Sequence, residues 1–227
     1  MIAFFTALKE EREAVRASWG LAPAGSIQGL ELETAAGVVH LCSGMGAQRM
    51  TRAVELASKA FGPTVYVLVG FSVGLSPALE VGDLVYDERS TEALVGAGGC
   101  VGRVATCGIL SKANQKQAFA EKHPGCPVAD LETEAFLAAV PAEADRLVLR
   151  VVSDTVGSDL PLNFGELTTD RGFPNVRAIA WKVASRPHLL PALLRLGREA
   201  ASAVKVLSNE LEQQRSLLLS SHGLVEK

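Results

Sequence analysis

TVYVLVGFSVGL, at residues 64–75, is a nearly unbroken apolar run that is rich in β-branched residues and ends in glycines. Strands that are buried on both faces have this composition, because neither face meets water. The run therefore predicts a strand at the centre of a sheet that is covered by helices on both sides.

The segments around this run alternate between strand and helix patterns. The segments 2–8, 30–36, 37–44 and 146–154 have strand character, and 9–19, 48–61, 112–123, 133–140 and 188–214 have helix character. Alternation of this kind predicts an α/β fold, a three-layer α/β/α sandwich with a central mixed, largely parallel sheet. In such folds, ligands bind at the carboxyl ends of the strands.

Length and composition predict a folded chain without an obvious internal boundary. The 227 residues are 48% hydrophobic and 21% charged, which is a globular composition. We expect a single domain over residues 1–215 and a flexible tail over 216–227.

The net charge and the N-terminal segment argue against a nucleic-acid-binding protein and against a membrane protein. The net charge is −3 and the chain lacks a basic run, so nucleic acid is not an expected partner. The apolar start at 2–8 is too short to span a bilayer and has no positively charged leader. We therefore predict a cytoplasmic protein without a membrane span.

The cysteines and histidines give no sign of a metal site. Cys42, Cys100, Cys107 and Cys126 form no C-x-x-C pair, and the four histidines are scattered along the chain. Neither a metal nor another cofactor is expected.

ADLETEAF, at 129–136, places Asp130, Glu132 and Glu134 on alternate residues. On an extended strand these carboxylates would share one side and repel each other, unless a cation or a ligand engages them. The segment is therefore either solvated or part of a site.

Further polar groups follow the predicted strands. They are Glu10 and Glu11, the glycine turn SGMG at 43–46, the glycines at 70–74, and the pair Ser153 and Asp154. Taken singly, each has an ordinary explanation as a solvated helix start, a tight turn or a helix cap.

In their order along the chain, five motifs resemble the nucleoside phosphorylase and nucleosidase superfamily. They are TALKEE, SGMG, LVGFSVGLSPALEVGDLV, ETEA in place of Glu-Met-Glu-Ala, and RVVSD, and they cover roughly 1–88 and 126–165. The branches that the chain resembles are the methylthioadenosine/adenosylhomocysteine nucleosidases and the hopanoid-associated phosphorylases.

This resemblance implies cleavage of the N-glycosidic bond of an adenine-type purine nucleoside. Asp154 is expected to assist the departing base at N7, Glu11 to activate water, and Glu134 to bind the ribose hydroxyls. Glu132 is a second contact near the sugar, whereas Asp130 is expected to face solvent. The other implied substrate contacts are Thr133, Ser153, Gly70, Phe71, Ser72 and Leu110. The resemblance also implies a homo-oligomer, specifically a homodimer.

Two alternatives remain open on the residues. One is a phosphorylase, a glycosyltransferase in which Gly44, Gly46 and Arg49 hold phosphate; the residues 160–200 resemble the hopanoid-associated branch, whose substrate would be an adenosyl-lipid conjugate. The other is a nucleoside-binding protein without turnover. It is favoured by the bulky Phe71 and Val73 and by the short stretch at 87–108.

Overall fold

A computed structural model describes residues 1–220 of the chain. The strands within these residues are β1 (Ile2–Thr6), β2 (Ala22–Ile27), β3 (Leu30–Ala35), β4 (Val38–Cys42), β5 (Val65–Gly74), β6 (Leu84–Asp87), β7 (Cys100–Gly102), β8 (Val104–Thr106), β9 (Val128–Asp130) and β10 (Asp145–Asp154). The helices are α1 (Lys9–Trp19), α2 (Ala47–Phe61), α3 (Ala113–Lys122), α4 (Thr133–Ala139), α5 (Val176–Ser185) and α6 (Leu190–Ser220).

All of these strands belong to one mixed sheet with the order β2-β3-β4-β1-β5-β10-β6-β7; β9 pairs with β5, and β8 pairs with β9. The four strands β4, β1, β5 and β10 run parallel to each other at its centre. β5 lies within the apolar run of 64–75, and its first six residues are buried, as that run predicts. The carboxyl ends of the four parallel strands therefore lie along the same edge.

The two faces of the sheet support two separate hydrophobic cores. Alternate residues of β1 point to opposite faces: Phe4 packs with Trp19 of α1 and Leu207 of α6, whereas Phe5 packs in the cluster that holds Met50 of α2 and Phe136 of α4. Helices thus cover both faces, and the predicted three-layer α/β/α fold is confirmed.

Some elements differ from the sequence-based expectation. β2 was not predicted, because it is an exposed edge strand that lacks the alternation of a half-buried strand. β7, β8 and β9 have three residues each, which is too short for a periodic signal.

The sequence predicts a flexible tail from residue 216, but the last helix extends beyond that position. Helix α6 continues to Ser220, and Leu218 is fully buried in the core that also holds α1. Residues 221–227, the remainder of the predicted tail, lie outside the described part of the chain. Within residues 1–220, none of the helices is both long enough and apolar enough to cross a membrane.

Candidate functional site

Glu11 is held at the edge of the sheet by three backbone donors. It lies in the first turn of α1 and is only 2% exposed. One carboxylate oxygen accepts hydrogen bonds from the N–H groups of Ala7 and Leu8, and the other accepts from the N–H of Phe71 on β5, all at 2.8 Å. Burial raises the pKa of Glu11, although Arg150 and these hydrogen bonds oppose the rise. The predicted base is therefore fixed in position and buried.

Arg150 lies at the centre of the acidic groups. It is fully buried in β10, forms an ion pair with Asp130, and has Nη2 4.0 Å from an oxygen of Glu132. Gly70 is the neighbouring residue on β5. A Cβ at Gly70 would lie 2.5 Å from a Glu11 oxygen and 2.6 Å from Arg150 Nη1, so this position requires glycine.

Glu132 is the second acid of the site, and it is 3% exposed. Its carboxylate accepts a hydrogen bond of 2.8 Å from the backbone N–H of Gly46. Burial, Asp130 and Glu11 raise its pKa, Arg150 and the Gly46 N–H lower it, and the net pKa is about 7. Three carboxyl groups therefore surround a single guanidinium, and Glu132 titrates close to neutral pH.

The structure separates Glu134, the expected ribose contact, from the other acids. β9 ends at Asp130 and helix α4 begins at Thr133, so the strand alternation that would place Glu132 and Glu134 on one side does not continue to Glu134. The Glu134 side chain is 48% exposed and pairs with Arg89, with Nη1 2.6 Å from the carboxylate.

The expectation that Asp130 faces solvent is wrong, because Asp130 is 2% exposed and pairs with Arg150. The alternating carboxylates therefore divide between the site and the surface.

Asp154 lies at the end of β10, where it was expected, and it has an unpredicted partner. One of its oxygens accepts a hydrogen bond from the Ser153 hydroxyl at 2.7 Å. The other lies 2.5 Å from the ammonium nitrogen of Lys116, a fully buried side chain on α3. A cavity of about 150 Å³ borders Asp154 together with Ser158.

The thiol of Cys107 links the two ends of the site. Burial and the negative charges of Asp130, Glu132 and Asp154 together raise its pKa to about 12. All three acids therefore act on one side chain. Glu11 and Glu132 both lie near Arg150, which is on the same strand as Asp154.

Of the remaining predicted substrate contacts, some side chains are buried and bonded within the protein, and others are partly exposed. Thr133 is fully buried, where its hydroxyl donates to Asp130 and accepts from Arg150, so it supports the acids and does not face a ligand. The Ser72 hydroxyl donates to the carbonyl of Val151. Phe71 on β5 and Leu110, in the loop between β8 and α3, are both partly exposed.

The glycine turn does not form the expected phosphate cradle. The N–H of Gly46 is bonded to Glu132, and the N–H of Met45 donates to the carbonyl of Gly172 at 2.9 Å. The guanidinium of Arg49 donates to the carbonyls of Met45 and Asp170, at 3.1 and 2.7 Å. Gly44 has a φ of +77°, and the Arg171 carbonyl packs against it where a Cβ would lie. Segment 170–172 therefore covers this turn, and the N–H groups of Met45 and Gly46 both have partners within the protein.

Sequence reasoning missed Arg150 and Lys116 as members of the site. Both gave a signal, because Arg150 interrupts the buried run of 146–154, and Lys116 lies one helical turn from the apolar Phe119 and Ala120. A cation among apolar residues needs a buried partner. Among residues 1–220, no group of three histidine, cysteine or acidic side chains could hold a metal ion.

Comparisons with known proteins establish the fold. No family model matches the chain, and no curated protein matches it in sequence. Among solved structures, the methylthioadenosine/adenosylhomocysteine nucleosidase of Colwellia psychrerythraea in complex with adenine has a TM-score of 0.68 at 16% identity, covering 100% of this chain and 97% of that chain. The enzyme of S. pneumoniae with a transition-state inhibitor scores 0.63 at 14% identity, covering 93% and 98%. The enzyme of Helicobacter pylori with butyl-thio-DADMe-Immucillin-A scores 0.64 at 12% identity, covering 93% and 97%. The chain thus has the fold of these nucleosidases over nearly its whole length.

Proposed function

We propose that this protein hydrolyses the N-glycosidic bond of an adenine-type purine nucleoside. The observation that carries the proposal is that Glu11 and Glu132 meet around Arg150, on the strand that ends at Asp154. Solved proteins of the same fold bind adenine or nucleoside analogues, which supports a nucleoside as the ligand.

The chemistry assigns a task to each acid. Cleavage of an N-glycosidic bond develops positive charge on the sugar and negative charge on the departing base. Glu132 accepts hydrogen bonds from the ribose hydroxyls and carries a charge beside the sugar. Asp154 delivers a proton to N7 of the base, because a purine anion is a poor leaving group.

Glu11 takes a proton from the attacking water as oxygen bonds to C1′. Its raised pKa suits this task, because a stronger base accepts the proton more readily. The ribose contact moves from Glu134 to Glu132, since Glu134 lies on the surface with Arg89.

Water is the preferred acceptor. The groups expected to bind phosphate, which are the glycine turn and Arg49, already donate to Glu132 and to backbone carbonyls. A phosphate ion would need to displace these partners. The use of phosphate as a co-substrate remains a prediction. Two further predictions are assembly into a homodimer and a cytoplasmic location.

The test is release of free base from methylthioadenosine, adenosylhomocysteine, adenosine and inosine, each with and without phosphate. We expect release from adenine nucleosides that phosphate does not accelerate. If base is released only when phosphate is present, the enzyme is a phosphorylase and not a hydrolase. If no base is released but a nucleoside raises the melting temperature, the protein binds nucleosides without turnover.

A further inference from the structure

Lys116 presents a buried ammonium group directly behind Asp154. Its side chain extends from α3 and is fully buried, whereas the Asp154 side chain keeps 13% of its surface exposed. Asp154 is thus the member of the pair that can meet a ligand.

The donors of Lys116 are all occupied. An ammonium group has three hydrogens. The nitrogen of Lys116 donates to the Thr155 carbonyl at 3.1 Å, to the Ser158 carbonyl at 2.8 Å and to the Ser158 hydroxyl at 3.2 Å. It also lies 2.5 Å from an oxygen of the Asp154 carboxylate, as an ion pair. Lys116 therefore holds the loop that follows β10 and has no hydrogen left for a substrate.

A buried ion pair of this kind can exchange its proton. Burial penalises both charges, and moving one proton from the ammonium to the carboxylate removes both charges at once. The nitrogen of Lys116 lies 2.5 Å from the Asp154 oxygen, which is the distance that this proton would cross.

We propose that Lys116 is a positioning residue that supplies the proton which Asp154 delivers to the base. This inference rests on the proposed hydrolase function. The Lys116 ammonium first passes its proton to the Asp154 carboxylate. The bond between C1′ and N9 then breaks with its electron pair going to the purine, and N7 takes that proton from the Asp154 carboxyl group. Water afterwards reprotonates the Lys116 amine. The water oxygen bonds to C1′, and its proton goes to Glu11 and then to solvent.

Two variants separate the supply of a proton from the supply of charge. Lys116→Met removes both the charge and the proton. Lys116→Arg keeps the positive charge, but a guanidinium does not release a proton in proteins. The matched control is Lys112→Met, since Lys112 is an exposed lysine near the start of the same helix and pairs with Asp159.

The decisive readout is the dependence on the leaving group. Each variant is assayed with a purine nucleoside and with 4-nitrophenyl riboside, whose phenolate leaves without protonation. General acid catalysis contributes roughly 100- to 10,000-fold. We expect both Lys116 variants to lose at least about 100-fold in kcat on the purine nucleoside, and to keep their activity on the nitrophenyl substrate. Lys112→Met should leave both activities unchanged.

The alternative results overturn the inference in distinct ways. Equal losses on both substrates would mean that Lys116 only maintains the fold, and unchanged activity would remove it from the reaction. Full activity in Lys116→Arg would show that the charge alone matters. If the unmodified protein cleaves neither substrate, the proposed hydrolase function fails, and the role of Lys116 fails with it.

Discussion

Glutamine in place of Glu132 is expected to abolish turnover and at the same time to stabilise the folded chain. The carboxyl group is buried, and its pKa is raised from 4.5 to about 7. Each pKa unit corresponds to about 1.4 kcal/mol. Above neutral pH, the ionised Glu132 therefore costs the folded state about 3 kcal/mol.

The sign of the effect follows from proton binding. The folded state holds the Glu132 proton more tightly than the unfolded state, so the stability due to this group falls as pH rises from 4.5 to about 7. Glutamine remains neutral and keeps an oxygen that can accept from the Gly46 N–H. At an alkaline pH the melting temperature of Glu132→Gln should rise by about 5–10 °C, and the gain should vanish in acid.

The assay is thermal unfolding of both proteins across this pH range, together with base release. Glu134→Gln is the matched control, because its exposed pair with Arg89 is worth less than about 1 kcal/mol. This control should change neither stability nor activity appreciably. A variant Glu132→Gln that melts no higher than the parent at alkaline pH, or that keeps full activity, would refute the reasoning.

Three further predictions concern the surroundings of the site. Arg150→Leu should lower the free energy of unfolding in urea by about 3–5 kcal/mol, because Asp130 and its neighbours would be left as buried charges without a cation; an unchanged urea midpoint would contradict this. Arg49→Ala should not change how the rate of base release depends on phosphate, since Arg49 donates to the carbonyls of Met45 and Asp170. If phosphate accelerates the parent but not the variant, Arg49 binds phosphate and the expected phosphate site is correct. Leu218→Ala should cost about 2–5 kcal/mol in the same urea experiment, because Leu218 is fully buried in the core with α1; a neutral effect would favour the tail that the sequence predicted.

The central strands and their polar ends could be predicted because the signal is local. A buried parallel strand is apolar at every position, and β5 has this character from Val65 to Val69. Polar residues directly after such strands must lie at one edge of the sheet. Glu11 and Asp154 were therefore identified from sequence, and both lie at that edge.

The segment 129–136 was misread because its backbone changes from strand to helix within three residues. Alternation is informative only while the chain is extended, and β9 ends at Asp130. Once α4 begins, that alternation does not continue, and Glu134 lies on the surface.

The cations of the site depend on contacts between distant parts of the chain. Lys116 meets Asp154 from a helix 38 positions earlier in the sequence, and Arg150 meets Asp130 across neighbouring elements. Their charge inside apolar segments indicates a buried partner, but sequence alone cannot identify which acid it is.

A crystal structure of the protein with adenine bound would test the convergence of the three acids most directly. We predict adenine with N7 within hydrogen-bonding distance of the Asp154 carboxylate and with N9 directed toward Glu132 and Glu11. Adenine bound in the separate cavity of about 290 Å³ that is lined by Asn163 and Lys182, with Asp154 making no contact, would contradict the account.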